Sequence, residues 1–226
     1  MGGLVNGADV LGIGLSRAQK SGILFVFDQE REKGGCLIAD DPGIWQDWHV
    51  CWPHAAVSLS EWRTAQGLEP DTDLPSVLIV PNNLIKKAVK DVANDLGASW
   101  HVVRYGNEKQ LTLPGQPVQN FGLNNQGRSS IFRQIDATVP VRRQVLVMSD
   151  VQAGNFKDGR IDGRFKYKYI DECQEHRRCE INAKGKFVLS MKATLGAFPL
   201  SGTAIVNSLM SIHGYVALLT RTRLVQ

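Results

Sequence analysis

Residues 75–106 constrain the fold more than any other part of the sequence. Ser76–Val80 is a short, almost entirely apolar run and predicts a buried strand. The sequence Pro-Asn-Asn at residues 81–83 supplies a helix cap, and apolar residues then recur at helical spacing until Gly97. Residues 100–104 predict the next strand. The stretch therefore predicts a β-α-β unit in the first half of the chain.

The turn between this predicted strand and helix has the sequence Val-Pro-Asn-Asn. It lacks the glycines that allow a phosphate-binding loop to approach a nucleotide closely. We therefore expect no nucleotide site at this turn. Lys86, Lys87 and Lys90 lie on the predicted helix and are interpreted as a solvated surface.

The second half of the chain differs from the first in charge and in pattern. From Ile131 onward the sequence has 15 Lys and Arg residues against 8 Asp and Glu residues. An acidic partner is therefore expected on this half. Short alternating segments predict strands at residues 139–148 and 160–170, and a hairpin at residues 179–195 that turns around residues 183–186.

Two further stretches predict strands. Residues 22–28 contain a continuous apolar run with aromatic and β-branched side chains, and residues 215–225 end in an alternating pattern. The predicted fold class is α+β, with the β-α-β unit in the first half and a mostly antiparallel β-sheet in the second half.

The predicted strand around Arg164–Ile170 alternates with a period of two, so aromatic side chains share one face and basic side chains the other. One interpretation is a sheet on which rings stack on bases while cations follow a phosphate chain. The other is a half-buried strand whose lysines face solvent and still contact nucleic acid electrostatically. The residues predicted to bind nucleic acid are Arg142, Arg143, Arg164, Lys166, Lys168, Lys184 and Lys186.

Residues 115–130 are rich in Asn, Gln, Gly and Pro and are predicted to be a polar connecting loop. This loop divides the chain into a mixed α/β subdomain at residues 1–114 and a basic, β-rich subdomain at residues 131–226.

Two groups of cysteine and histidine residues offer ligands for a metal ion. Cys51, His54, Cys173 and His176 together provide the nitrogen and sulfur atoms that one tetrahedral zinc ion requires. Neither group has the Cys-x-x-Cys spacing of a zinc knuckle. The alternative is that no cofactor binds, that Cys51 and Cys36 are small buried residues and that His176 is solvated.

The sequence shows no persuasive catalytic signature, and Gly-x-Ser-x-Gly is absent from it. The favoured function is therefore a non-enzymatic assembly protein, such as a capsid or coat subunit of a virion, that meets nucleic acid through a basic face. Such a protein forms a homo-oligomer or a multi-subunit assembly. The alternatives are a nucleic-acid-binding module of a guide-RNA or defence ribonucleoprotein complex and a zinc-dependent enzyme.

The location of the protein is predicted from its apolar segments. No apolar run approaches the roughly 20 residues of a membrane-spanning helix. The N-terminus lacks a basic start followed by an apolar stretch. We therefore expect no membrane partner and a cytoplasmic or virion location.

Overall fold

The computed structural model describes residues 17–39, 67, 74–96, 101–104, 110–111, 119–120, 143–153, 164–176, 183–202 and 210–220. Six strands in this part of the chain form one sheet: β1 (Ile38–Ala39), β2 (Ser76–Val80), β3 (His101–Arg104), β6 (Gln144–Ser149), β7 (Arg164–Ile170) and β8 (Lys192–Ser201). Their order across the sheet is β1-β8-β7-β2-β6-β3, and every neighbouring pair is parallel. A separate two-stranded sheet pairs β4 (Gln110–Leu111) with β5 (Gln119–Asn120) in antiparallel orientation.

The described helices precede, follow or separate these strands along the chain. They are α1 (Arg17–Lys33), α2 (Ile85–Leu96), α3 (Asp150–Ala153), a 3-10 helix (Cys173–His176), α4 (Ala183–Ser190) and α5 (Met210–Thr220). Parallel neighbours require crossover connections. The helix α2 lies in the connection from β2 to β3, and α4 lies in the connection from β7 to β8.

The sheet is buried on both of its faces, as is usual for parallel sheets. One face of β2, which carries Leu78, belongs to an apolar cluster with residues of α1 and α2. The opposite face, which carries Val77, belongs to a second cluster with residues of α4 and α5. The architecture is therefore a three-layer α/β fold with helices on both sides of the sheet.

The connection from α1 to the edge of the sheet depends on a glycine. Gly35 has φ of +135°, and a Cβ atom at this position would lie 2.0 Å from the carbonyl oxygen of Ala197. The backbone N–H of Ala197 also donates to the carbonyl oxygen of Gly34 at 3.1 Å. The chain leaving α1 therefore packs directly against the backbone of β8.

The predicted β-α-β unit is present as β2, α2 and β3. The predicted fold class of α+β with an antiparallel second half is wrong, because β6, β7 and β8 are all parallel members of one α/β sheet. The segments that follow β6 and β7 contain helices. They therefore do not form the tight turns that antiparallel neighbours need.

Three segments predicted as strands contain helices instead. Residues 22–28 lie inside α1, because a short apolar run fits a buried helix segment as well as a strand. The predicted hairpin at residues 179–195 contains α4 and the start of β8. Residues 215–220 belong to α5, and residues 221–225 lie outside the described part.

Strands from both sides of the predicted connecting loop pair with each other. Strands β2 and β3 precede residues 115–130 and β6 follows them, yet β6 lies between β2 and β3 in the sheet. The described parts of the first and second halves therefore build one sheet. Among the described helices, none combines the length and apolar content that crossing a bilayer requires.

Candidate functional site

Polar residues gather where the parallel strands end. Asn82 and Asn83 follow β2, Asp150 follows β6, and Asp171 and Glu172 follow β7. Because the carboxyl ends of parallel strands lie at one edge of a sheet, these residues share that edge, which we call the carboxyl edge. Ligands of open α/β sheets bind at this edge, so it is the candidate functional site.

Hydrogen bonds tie neighbouring strand ends together at the carboxyl edge. The backbone N–H of Asn82 donates to Oδ1 of Asp150 at 3.1 Å, which links the end of β2 to the end of β6. The backbone N–H of Asp171 donates to the carbonyl oxygen of Ile79 at 2.8 Å, which extends the pairing of β7 with β2 by one residue. The polar residues after these strands are therefore held by the sheet itself.

A second chain of hydrogen bonds joins the end of β7 to the end of β8. The backbone N–H of Glu172 donates to Oδ1 of Asp171 at 2.9 Å. The side-chain amide of Gln174 donates to the Glu172 carboxylate. The hydroxyl of Ser201 donates to Oε1 of Gln174 at 2.6 Å. Gln174 thus connects Asp171 and Glu172, which we call the acidic pair, to the last residue of β8.

The backbone at Glu172 adopts an uncommon conformation. Its φ is +50°, in the left-handed region that non-glycine residues rarely enter. The carbonyl oxygen of Glu172 accepts a hydrogen bond from the backbone N–H of Glu175 at 2.9 Å, which begins the 3-10 helix. The local cost of such a conformation is of the order of 1 kcal/mol or more and is typical of functional sites.

Two of the four predicted zinc ligands lie in the 3-10 helix that directly follows the acidic pair in the sequence. Cys173 and His176 are both buried in the 3-10 helix. Burial, followed by the charges of Asp171 and Glu172, raises the pKa of the Cys173 thiol far above its ordinary value, so the thiol remains protonated.

The other two predicted ligands, Cys51 and His54, lie outside the described residues. In the part of the chain that the structure describes, no three His, Cys, Asp or Glu residues are grouped as metal ligands. The zinc site stays a prediction from the sequence.

The strand predicted to carry a basic outer face is a central strand. Lys166 and Lys168 are buried, with exposed fractions of 1% and 0%. The Lys168 ammonium donates to the carbonyl oxygens of Val188 at 2.8 Å and Met191 at 3.0 Å, at the end of α4. The structure therefore buries these two lysines, and the interpretation that they face solvent is wrong.

The aromatic residues of the same strand are also buried. The ring centroids of Tyr169 and Phe198 are 5.6 Å apart and stacked, and the Tyr167 hydroxyl donates to Glu30 at 3.3 Å. Phe165 packs in the cluster on the other side of the sheet, where the pairing of β7 with β8 shifts register. These rings build the core and are not a stacking surface for bases.

The remaining predicted nucleic-acid-binding residues are dispersed. Arg143 is half-buried beside the start of β6, and Lys186 is exposed on α4. Arg142 and the side chains of Arg164 and Lys184 lie outside what the structure describes. The structure therefore does not assemble this set into one described surface.

A basic surface that was predicted to be merely solvated lies next to the carboxyl edge. Lys86, Lys87 and Lys90 are exposed on α2, and four residues separate the end of β2 from the start of this helix. Asn82 and Asn83 are exposed immediately before this helix, and its first turn has no acidic residue. We call these five residues the α2 surface. A helix N-terminus with adjacent amide and ammonium groups is suited to phosphate.

The acidic pair was also missed. An Asp-Glu sequence directly after a buried strand was the available signal. It was missed because that strand was predicted to belong to a surface-exposed antiparallel sheet, whose ends do not form a common ligand-binding edge.

Comparison with known proteins finds similar folds in two structures that were solved with DNA or a DNA mimic. No protein-family model matches the sequence, and no curated protein matches it. The SWI2/SNF2 ATPase core of Sulfolobus solfataricus, solved in complex with double-stranded DNA, is similar over 92% of this chain with a TM-score of 0.62 and 15% identity. A nuclease-deletion mutant of the Type ISP restriction-modification enzyme LlaGI, in complex with a DNA substrate mimic, is similar over 86% with a TM-score of 0.57 and 10% identity.

The chain spans 36% of the SWI2/SNF2 structure and 18% of the LlaGI structure. These similarities show that the chain shares its fold with parts of these two structures. The predicted function of a virion capsid or coat subunit is therefore wrong. The virion location receives no support from them either.

Proposed function

We propose that this chain is a DNA-binding domain built on the fold of a helicase-like ATPase core. The observation that carries the proposal is the similarity, over 92% of the chain, to an ATPase core solved with double-stranded DNA. Because the sequence identity is only 15%, the DNA-binding residues are inferred from the exposed residues of this chain.

The α2 surface supports DNA binding through its charge and position. Lys86 and Lys90 are four residues apart on α2, and Lys87 and Lys90 are three apart, so the three ammonium groups project from neighbouring positions. All three are exposed. Lysine side chains of this kind contact phosphate oxygens, which positions a protein on a duplex without reading its sequence.

The helix and the strand ends reinforce this surface. The first turn of α2 carries the positive end of the helix dipole, and Asn82 and Asn83 add exposed amide groups in front of it. The hydrogen bond from Asn82 to Asp150 holds this turn against the end of β6. The phosphates of DNA would therefore contact a protein surface whose main chain is already held in place by the sheet.

The test is a competition experiment with the full chain. A fluorescently labelled DNA duplex is bound at low salt, and unlabelled duplex DNA, single-stranded DNA and RNA of matched length compete for it in an anisotropy measurement. We expect duplex DNA of unrelated sequences to compete equally, because phosphate contacts carry no direct sequence information. Lack of any saturable binding at about 50 mM salt, where phosphate contacts are strong, would contradict the proposal.

RNA is the informative competitor in this design. An RNA duplex has a deep and narrow major groove and a different spacing of its backbones. Competition by RNA that is stronger than that by DNA would overturn the assignment to DNA.

A further inference from the structure

The fold of an ATPase core implies a nucleoside triphosphate and a magnesium ion, so we asked whether the residues of this chain fit them. P-loop ATPases bind the phosphates and the magnesium ion through two different elements. A glycine-rich loop with the sequence Gly-x-x-x-x-Gly-Lys-Ser/Thr wraps the phosphates, and an aspartate at the end of another strand helps to hold magnesium. Both elements belong to the carboxyl edge of the sheet.

The acidic element has a counterpart in this chain. Asp171 and Glu172 follow the central strand β7 and are half-buried at the carboxyl edge. Their oxygens take part in the hydrogen bonds that run from Asp171 through Glu172 and Gln174 to Ser201. These carboxylates already serve to join β7 to β8.

The phosphate-binding element has no counterpart. The sequence contains no Gly-x-x-x-x-Gly-Lys-Ser/Thr, and its single Gly-Lys pair, Gly185-Lys186, lies inside α4 and is followed by Phe187. A lysine within α4 is not part of a strand-to-helix loop, so it does not replace the missing one.

The sequence that follows β1 is acidic, whereas a triphosphate requires cations. Ala39, the last residue of β1, pairs with Ser201 at the end of β8, which places the end of β1 at the carboxyl edge, and the sequence that follows begins with Asp40. That sequence has no lysine or arginine before Arg63, whereas it contains Asp40, Asp41 and Asp47. Phosphates require cations and open backbone N–H groups, and additional aspartates oppose them.

We infer that this domain does not hold a nucleoside triphosphate and that it engages DNA independently of ATP. The DNA part of the inference rests on the proposed function. The acidic pair acts as a hydrogen-bonded brace between β7 and β8, and the sequence lacks the glycine-rich loop whose lysine contacts a triphosphate. ATP therefore has no means of changing the affinity of the α2 surface for DNA, because a ligand shifts an equilibrium only by its differential binding.

The experiment measures nucleotide binding and DNA binding separately on the full chain. Isothermal titration of ATP with magnesium measures nucleotide binding directly and does not depend on hydrolysis. This matters because the chain spans only 36% of the SWI2/SNF2 ATPase core, and hydrolysis could require the rest. We expect no saturable heat up to about 1 mM ATP, the upper end of ordinary substrate affinities. The affinity for duplex DNA should change by less than about twofold when ATP is added.

Saturable ATP binding would overturn the inference whatever the DNA result. Titration of the Asp171→Asn and Glu172→Gln variants would then show whether the acidic pair takes part, since both substitutions keep the side-chain shape and remove the charge. If the chain binds neither DNA nor ATP, the proposed function is rejected, whereas the inference that the domain does not hold a nucleoside triphosphate is retained. Circular dichroism of both variants checks that they are folded.

Discussion

Lys168 shows how a charged side chain can be a structural element of this fold. Its ammonium donates to the carbonyl oxygens of Val188 and Met191, so it caps the C-terminal end of α4 from the neighbouring strand β7. The last carbonyls of a helix have no partner within the helix and carry partial negative charge. The buried Lys168 ammonium donates hydrogen bonds to these carbonyl oxygens and is attracted to their partial negative charge.

Replacing Lys168 tests this role. Lys168→Met keeps the length of the side chain but leaves two buried carbonyls without their donor, so we expect the free energy of unfolding to fall by about 3 kcal/mol. Lys186→Met, at an exposed site on α4, is the control and should change it by less than about 0.5 kcal/mol. Urea denaturation of both variants measures the difference. Equal stabilities would show that Lys168 is not a cap.

Gly35 provides a second test at the residue scale. Gly35→Ala forces a Cβ to within 2.0 Å of the Ala197 oxygen at a φ of +135°, so it should cost more than about 3 kcal/mol. Gly67 also has positive φ, but nothing lies within 4 Å of its Cβ position. Gly67→Ala should therefore cost only about 1 kcal/mol. A thermal unfolding comparison in which the two variants match would contradict the close packing of α1 on β8.

The buried thiol of Cys36 makes stability depend on alkaline pH. Burial, and then the charge of Glu30, raises the pKa of this thiol from 9.0 to about 12. The folded state therefore keeps its proton where the unfolded state loses it. The resulting stabilisation is complete below about pH 9 and is lost as the pH rises towards 12.

The Cys36→Ala variant isolates this contribution. Above about pH 9 its free energy of unfolding should decline less steeply than that of the unsubstituted protein, whereas below pH 9 the two curves should run parallel. Urea denaturation between about pH 8 and pH 10.5 provides the comparison. Parallel curves over the whole range would show that Cys36 is not shielded from solvent.

At the scale of single elements, helix α2 is the part of the structure that we expect to meet DNA. The triple variant Lys86→Ala, Lys87→Ala, Lys90→Ala should weaken duplex binding by about 10- to 100-fold, and each lysine that contacts phosphate should reduce the salt slope by about one. Anisotropy titrations at several salt concentrations measure both quantities.

Two single variants complete this test. Lys33→Ala removes an exposed cation from the end of α1, before β1 begins, and should alter the affinity by less than about twofold. Lys186→Ala examines the exposed member of the basic set predicted from the sequence. If Lys186→Ala weakens binding and the triple variant does not, the interface lies on α4 and the assignment to α2 is wrong.

The elements that could be predicted from the sequence are those with local causes. The unit β2, α2 and β3 was predictable because its apolar spacing, cap and terminating glycine lie within one short stretch. The location of β7 was predictable from alternation, but its direction and its central position were not. They depend on pairing with β2 and β8, which are distant in sequence.

The candidate site was less predictable than the fold, for the same reason. The lysines of α2 were visible, yet nothing local indicated that their helix begins at the edge where β6 and β7 also end. The acidic pair at Asp171 and Glu172 acquires meaning only when β7 is known to be a central parallel strand. Lys168 was misassigned because alternation predicts a solvated face, whereas this strand is covered on both sides.

In the whole protein, the fold determines which known structures the chain is similar to, and the candidate site determines which ligand we propose. The sheet and its two helical layers are similar in fold to the SWI2/SNF2 ATPase core, and the chain corresponds to 36% of that structure. The α2 surface supplies the proposed contact with DNA, while the residues between β1 and Arg63 include no lysine or arginine. The central claim is that this fold binds duplex DNA through its phosphates.

The most direct test of that claim is the dependence of duplex affinity on salt. For phosphate contacts, the logarithm of the association constant falls linearly with the logarithm of salt concentration, by about 0.9 for each contact. Contacts from Lys86, Lys87 and Lys90 alone predict a slope of about −3 for the full chain, and a slope near zero for the variant lacking all three. Binding that is insensitive to salt, or no binding to a duplex at any salt concentration, would contradict the account.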